Sequence, residues 1–290
     1  MSERYQRIEA MKDEYPLSEL CRTLGVSRSG YYAWRERAPS ARDQANLRLL
    51  EQMHIIRQGQ EVCYGSPRMT EELQGRGHEC SENRVARLMR AHGLRASAGQ
   101  RWVPRTTDSN HDEPIAPNRL AECAAPDGPN QVWLQDITYV PTQQGWLYLA
   151  LVLDLWSRKI VGWAMADHLR SELVLSALKM AQIQRRPGRD LLVHSDRGVQ
   201  YASRETRAFL EAHGWQASMS RAGNPYDNAW MESAIGKLKR EVLGRSVPVD
   251  HASARQQLFT GIECWYNQRR RHSALGYISP VAFETRSMNN

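Results

Sequence analysis

The sequence has no apolar run approaching the roughly 18–20 residues needed to cross a bilayer. Its polar start, Met1-Ser2-Glu3-Arg4, lacks the apolar core of a signal peptide. Both absences point away from the membrane and toward the cytosol. The five cysteines, Cys21, Cys63, Cys80, Cys123 and Cys264, are scattered and contain no CxxC pair. Neither a disulfide framework nor a thiolate zinc site is expected, since His78 and Cys80 would make only half of one. No internal repeat or low-complexity tract occurs, and no convincing Ser/His/Asp or Cys/His arrangement offers a protein nucleophile. Acidic residues are outnumbered, with 32 Asp and Glu against 39 Lys and Arg and a net charge of +7. Such a balance favours polyanionic partners, without distinguishing DNA from RNA or an acidic membrane surface.

What is present divides into three zones. The first, residues 1–96, reads as helical and basic. Pro16 to Leu24 reads as a short helix, Gly25-Val26 as a turn, and Ser27 as the N-cap of a second helix containing Tyr31, Tyr32 and Trp34. This is the pattern of a helix-turn-helix, whose second helix can enter a major groove, and Arg28, Arg35 and Arg37 lie on or near it. A similar arrangement follows. Ser66-Pro67 fits an N-cap with proline at the first helical position, and Gly77 ends that helix. Ser81 can then cap a helix with Val85, Leu88 and Met89 on one face and Arg84, Arg87 and Arg90 elsewhere. The expected boundaries are 1–60 and 61–96, and these helices either bind DNA or pack against other domains. The second zone, 97–130, is proline-rich and reads as an extended linker.

The third zone, 131–290, changes character. Strands are expected at Val132–Val140, Trp146–Leu155 and Lys159–Ala166, then a helix capped by Ser171 and running toward Arg185. A short apolar strand at Leu191–Val193 leads into His194-Ser195-Asp196. A helix over 203–213, a strand at Trp215–Ser220 and a helix from Asp227 to Leu243 follow. The pattern predicts an α/β fold, a mixed sheet with helices on its faces, preceded by an all-α region.

Three acidic residues fall at informative places in that layout. Asp136 interrupts an otherwise apolar strand, Asp196 lies just beyond a strand's C-terminal end, and Glu232 lies in the late helix. Each alone has a bland reading as a hydrogen-bonding or capping residue. Converging, they would repel one another unless cations were present, and an oxygen-only cluster suits Mg²⁺ or Mn²⁺ rather than zinc. Two such ions can activate a hydroxyl and stabilise a leaving oxygen, which is what phosphodiester chemistry requires. Asp154 is a rival ligand with a structural role expected. Trp133, Trp146 and Trp163 read as core residues. His194 reads as an assisting residue or a local structural one.

Four motifs in order are more specific: the DITY core within 131–140, HSDRGVQY at 194–201, SMSRAGNPYDNAWMES at 218–233 and YNQRRRHSALGYISPVAFE at 266–284. With 35 residues between Asp196 and Glu232, they resemble the insertion-sequence DDE transposases of the IS-three family, whose integrase core is similar to that of retroviral integrases. YGSPRM at 64–69 and NRVARLMRAHGL at 83–94 are similar to that family's upstream helices. The resemblance implies an RNase H-like core. It implies catalytic and metal-holding roles for Asp136, Asp196 and Glu232, with two Mg²⁺ or Mn²⁺ ions per site. It also implies nicking at the element's end followed by attack of the freed 3′-hydroxyl on another phosphodiester. The implied DNA is the element's terminal inverted repeats and a target duplex, held by a homo-oligomer of at least two chains in the bacterial cytosol at the nucleoid.

Lys239, seven residues after Glu232 and on the same helix face, is implied to lie near the DNA end. Further expected DNA contacts are Arg28, Arg35, Arg68, Arg84, Arg87, Asn224, Asn228, Arg269, Arg271 and His272. No sustained heptads precede residue 60, so the chain resembles the downstream-frame product, with an upstream-frame protein as a possible partner. Two rivals stay open. One is a DNA-binding regulator with a decayed core, the other a nuclease of RNA–DNA hybrids.

Overall fold

The computed structural model describes residues 2–58, 64–96, 113–221, 228–244 and 247–289. The chain forms two compact units, Met1–His54 and Ile55–Asn290.

In the first unit, α1 (Ser2–Met11), α2 (Leu17–Thr23) and α3 (Arg28–Glu36) surround Ile8, Leu20, Cys21 and Tyr31. Gly25 takes φ +63°, a left-handed turn that costs glycine little, and so reverses the chain between α2 and α3. Ser27 caps α3 as expected, its hydroxyl accepting from Gly30 N at 3.0 Å. The boundary at residue 60 is not where the units divide, because the division falls inside α4 (Ala41–Gln58).

In the second unit, α5 (Ser66–Gly75) and α6 (Glu82–Ala91) lead to the sheet, and Ser81 caps α6 by accepting from Arg84 N. Gly65, not Ser66, is the N-cap of α5, which leaves Pro67 within its first turn. These helices belong to the same compact unit as the sheet. Arg271 Nε donates to Glu72 Oε2 at 2.8 Å, and Arg68 Nη1 lies 3.4 Å from Glu241 Oε1. Residues 97–112 of the expected linker lie outside the described residues. Its second half is docked rather than free: Leu120 N donates to Ser218 Oγ at 3.2 Å, and Arg207 pairs with Glu113 at 3.2 Å.

The sheet comprises β1 (Val132–Thr142), β2 (Gly145–Asp154), β3 (Ile160–Ala166), β4 (Leu192–Ser195) and β5 (Gln216–Met219), in spatial order β3-β2-β1-β4-β5. β1, β2 and β3 are antiparallel; β4 joins β1 in parallel and β5 joins β4 in parallel. The helices between the parallel strands, α7 (Ser171–Arg185), α8 (Val199–Ala202) and α9 (Arg204–His213), include the crossovers such pairing requires. α7 crosses β3 closely at Gly162, where any Cβ would collide with the backbone of Ala177. The core gathers Trp133, Val152, Val161, Leu178 and Val193, with Trp133 edge-on to Trp215. Trp146 departs from expectation. It sits at the start of β2, 41% exposed, against Tyr139.

α10 (Ala229–Leu238) does not continue as an α-helix to Leu243. From Lys239 to Leu243 it widens to a π-helical turn, and α11 (His251–Phe259) likewise passes into a π-helical stretch, Thr260–Tyr266. The two wide turns meet where Val242 packs onto Gly261, which has no Cβ to obstruct it. α12 (Pro280–Met288) closes the chain. Its Glu284 accepts from Arg185 at 2.8 and 2.9 Å and from Lys159 at 3.0 Å.

Candidate active site

The parallel register sets two carboxylates side by side. Leu134 of β1 is opposite His194 of β4; two residues on, the same register brings Asp136 beside Asp196, just past the end of β4. Adjacent strands are only about 4.8 Å apart. The two aspartates share a pocket of about 20 Å³ with Tyr139, Gln200 and Tyr201. Asp136 Oδ1 accepts from Ile137 N at 2.8 Å, and Asp196 Oδ1 accepts from Gly198 N at 2.9 Å. A Cβ on Gly198 would crowd Asp196 Oδ1 at 3.1 Å, so glycine lets this turn hold the carboxylate closely.

The electrostatics record the crowding. Burial pushes the Asp136 carboxyl well above the usual range, and the negative charges of Asp196 and Glu232 push it further. The Ile137 N–H and the Lys239 ammonium act in the opposite direction. Burial and both aspartates also drive the Tyr201 phenol far up, so it is protonated at neutral pH, and its hydroxyl has no partner among the described residues. Such a site stabilises added positive charge.

Glu232 lies on the exposed side of the first turn of α10, its carboxyl raised by burial, and does not line this pocket. Among the described residues, no three His, Cys, Asp or Glu side chains are close enough together to hold a metal ion. Asn224 and Asp227, just before α10, lie outside the described residues. Lys239 is half-buried at the head of the π-helical turn. Burial lowers its pKa and the Asp136 charge raises it, which places the ammonium within electrostatic reach of the aspartates.

The other sequence-derived residues divide by exposure. Arg28 and Arg35 are exposed on α3, with Arg35 5.1 Å from the Tyr32 ring centre. Arg87 is exposed on α6 and Arg84 partly so. Asn228 is buried, its amide donating to the Gln135 carbonyl at 3.5 Å. The basic run 269–272 is split by burial: Arg269 is exposed, whereas Arg270 and His272 are buried and Arg271 is tied to Glu72. Burial and neighbouring cations push His272 down to about 2, so the imidazole is neutral. His194 is clamped between Ser218 Oγ at 2.8 Å and Ser220 Oγ at 3.1 Å, a structural place. The rival Asp154 is also structural, accepting from Asn130 N, Ser157 N and Ser157 Oγ.

Sequence reasoning overlooked two features. Tyr201 faces the aspartates, and its place five residues after Asp196 in HSDRGVQY was the available signal. Arg270, fully buried, grips Glu241 through Nε at 2.6 Å and Nη2 at 3.0 Å. That pairing spans 29 residues and leaves no local signature.

Comparison with known proteins bears on this arrangement. Residues 126–225 and 213–280 each match a family described as an integrase core domain, and residues 43–102 match an HTH-like domain. The insertion element IS600 uncharacterized 31 kDa protein of Shigella sonnei is 44% identical, over 91% of this chain and 97% of that one. Transposase InsF for insertion sequence IS3A of Escherichia coli K12 is 38% identical, over 98% of this chain and 99% of its own. A solved HTLV-2 integrase catalytic core domain in complex with magnesium, in dimeric form, is similar at 18% identity and a TM-score of 0.41. It covers 55% of this chain and 98% of that chain.

Proposed function

The chain belongs to the insertion-sequence transposases with an integrase core, and from that premise we propose that Asp136, Asp196 and Glu232 carry its strand-transfer chemistry. It is a DNA transposase, a polynucleotidyl transferase that nicks its element's ends and joins the freed 3′-hydroxyl to another phosphodiester. The observation that carries the site assignment is the pairing of Asp136 with Asp196 across two parallel strands, in a pocket that disfavours their joint negative charge.

The donor set fits hard divalent cations. It is oxygen-only, and Mg²⁺ commonly binds through one or two carboxylates with substrate phosphates completing its shell. When bound, two Mg²⁺ or Mn²⁺ ions would supply the acidity that activates the attacking hydroxyl and the charge that stabilises the leaving oxygen. Asp136 and Asp196 would hold the cations, their carboxylates fixed by strand backbone and by the N–H groups of Ile137 and Gly198. Glu232, exposed on α10, joins them when DNA occupies the site. Lys239 holds a phosphate of the DNA end beside Asp136. The exposed cations Arg28, Arg35, Arg87 and Arg269 neutralise phosphates elsewhere along the DNA. Two ends must be held together, so the working form is at least a dimer acting at the bacterial nucleoid. An upstream-frame protein is a further partner.

The test is incubation with labelled duplex carrying the parent element's terminal inverted repeats and Mg²⁺, beside an Asp196→Asn control, resolving nicked from joined products. Joined product in the native chain, reduced at least about 10³-fold in the variant, is expected. Salt-sensitive binding without cleavage, even after adding the upstream-frame protein, would favour a regulator. Hydrolysis of RNA–DNA hybrids without joining would favour a nuclease.

A further inference from the structure

On another side of α10 lies a cavity of about 220 Å³ whose walls are cationic. Four cations line it: Arg68 from α5, Arg158 from the turn between β2 and β3, Lys237 from α10, and Arg270. The carboxylate that answers them is Glu241, and its oxygens are taken by Arg270, at 2.6 and 3.0 Å, with Arg68 at 3.4 Å. Asp154 also acts on Arg158, but its own oxygens are committed to Asn130 and Ser157. Two cationic donors at the cavity are therefore left over. Lys237 has no carboxylate within ion-pair distance among the described residues. Arg158 Nη1 is buried without a hydrogen-bond partner. His272 lines the cavity too, only 4% exposed, but its neutral ring donates to the Tyr266 backbone and has no further N–H to offer.

An unpartnered buried donor is costly, and it is costlier beside a second cation that no carboxylate answers. The backbone adds to the cost. Arg158 sits at φ +60°, a left-handed conformation that a long side chain seldom adopts, and the turn is held there by Asp154. The strain delivers the guanidinium to the cavity, over the Trp230 ring at 5.5 Å. Burial and the neighbouring positive charges also lower Lys237 to about 8. An unbalanced positive hollow with orphaned donors and a strained turn is what an anion site looks like without its anion.

The geometry points to a second phosphate-binding pocket, in which Lys237, Arg158 and Arg68 hold a tetrahedral oxyanion over the Arg270–Glu241 pair. Arg270 stays on Glu241 as a fixed charge beneath the ligand, and the others have donors to offer. The phosphate comes either from a DNA backbone or from a free phosphate species, and the chemistry of recognition is the same. This pocket is separate from the Asp136–Asp196 pair and does not depend on the metal-holding assignment.

Two arms test it. In the native chain, the rate at which an amine-acylating reagent modifies Lys237 at pH 8 is followed by mass spectrometry, with exposed Lys179 as internal reference. Inorganic phosphate or duplex DNA should slow Lys237 by about fivefold relative to chloride at equal ionic strength, because a bound anion keeps the amine protonated. Protection by DNA alone assigns the pocket to a backbone phosphodiester; protection by inorganic phosphate alone assigns it to a free phosphate. In the second arm, the Lys237→Gln, Arg158→Gln double variant is titrated with duplex across salt concentrations without divalent cation. A backbone role predicts a salt slope shallower by about 1 per lost phosphate contact. Asp196→Asn should leave the protection of Lys237 by inorganic phosphate unchanged while abolishing joining, so failure of one assignment does not mimic failure of the other. No protection of Lys237 by either anion overturns the proposal.

Discussion

Asp154 closes β2 with no exposed surface, and its oxygens accept from Asn130 N at 2.7 Å, Ser157 N at 2.8 Å and Ser157 Oγ at 3.0 Å. Asp136, on the neighbouring strand, accepts from Ile137 N and feels the negative charges of Asp196 and Glu232, which the Lys239 ammonium opposes less strongly. One carboxylate is surrounded by donors that complete it; the other is surrounded by groups that ask for a cation. Burial alone does not separate a structural carboxylate from a functional one. The character of the neighbours does, and the two aspartates allow that difference to be measured.

The largest stability effect is expected at the satisfied end. Asp154→Ala orphans three donors and should cost about 3–5 kcal/mol in chemical denaturation. A loss below about 1 kcal/mol would break the comparison. Glu284 extends the satisfied class to α12, being buried and held by Arg185 and Lys159. Glu284→Gln should cost about 3 kcal/mol. Burial raises this carboxyl, but its cationic partners outweigh burial and hold it below its ordinary value of 4.5. The stabilisation is therefore complete above that value and lost as pH falls through the depressed one. The native chain should lose stability below about pH 4.5 more steeply than the Gln variant, read as thermal midpoint against pH.

At the unsatisfied end the sign changes. Asp136→Asn removes like-charge repulsion, so metal-free stability should hold or rise by up to about 1 kcal/mol while strand joining disappears. A destabilisation comparable to that of Asp154→Ala would show that Asp136 is structural after all. The smallest effect belongs to Tyr201→Phe, which deletes a buried hydroxyl with no partner. Stability should change by less than about 1 kcal/mol. A loss of joining beyond that seen in stability would show that the hydroxyl meets the DNA.

Much of this was legible in the sequence where the determinants are local. Ser27 and Ser81 each cap the helix that follows, whereas Ser171 is the first residue of α7 and Arg170 its N-cap; the pattern of short apolar runs marked all five strands. Asp136 was visible because a carboxylate inside an apolar strand is anomalous on its own. The rest depended on contacts between distant residues. Adjacent cations in 269–272 look alike in sequence, yet Arg270 turns inward because Glu241 is there to receive it. Trp146 reads as core by type and is exposed by its place at the start of β2. The docking of residues 113–130 rests on Ser218 and Arg207, about a hundred residues away.

The wide turn at Lys239–Leu243 has a consequence for how this helix can change over generations. A π-helical turn takes in an extra residue, whose removal would restore ordinary winding and rotate all that follows by about 100° per residue. Glu232 lies before the turn, where its charge reaches Asp136, and Glu241 lies within it, held by Arg270. Side chains along the outer face are free to drift, but the number of residues between those two glutamates is not. Insertions and deletions should therefore be excluded from this stretch far more strictly than substitutions, because a single lost residue would swing Glu241 off its arginine and Val242 away from Gly261.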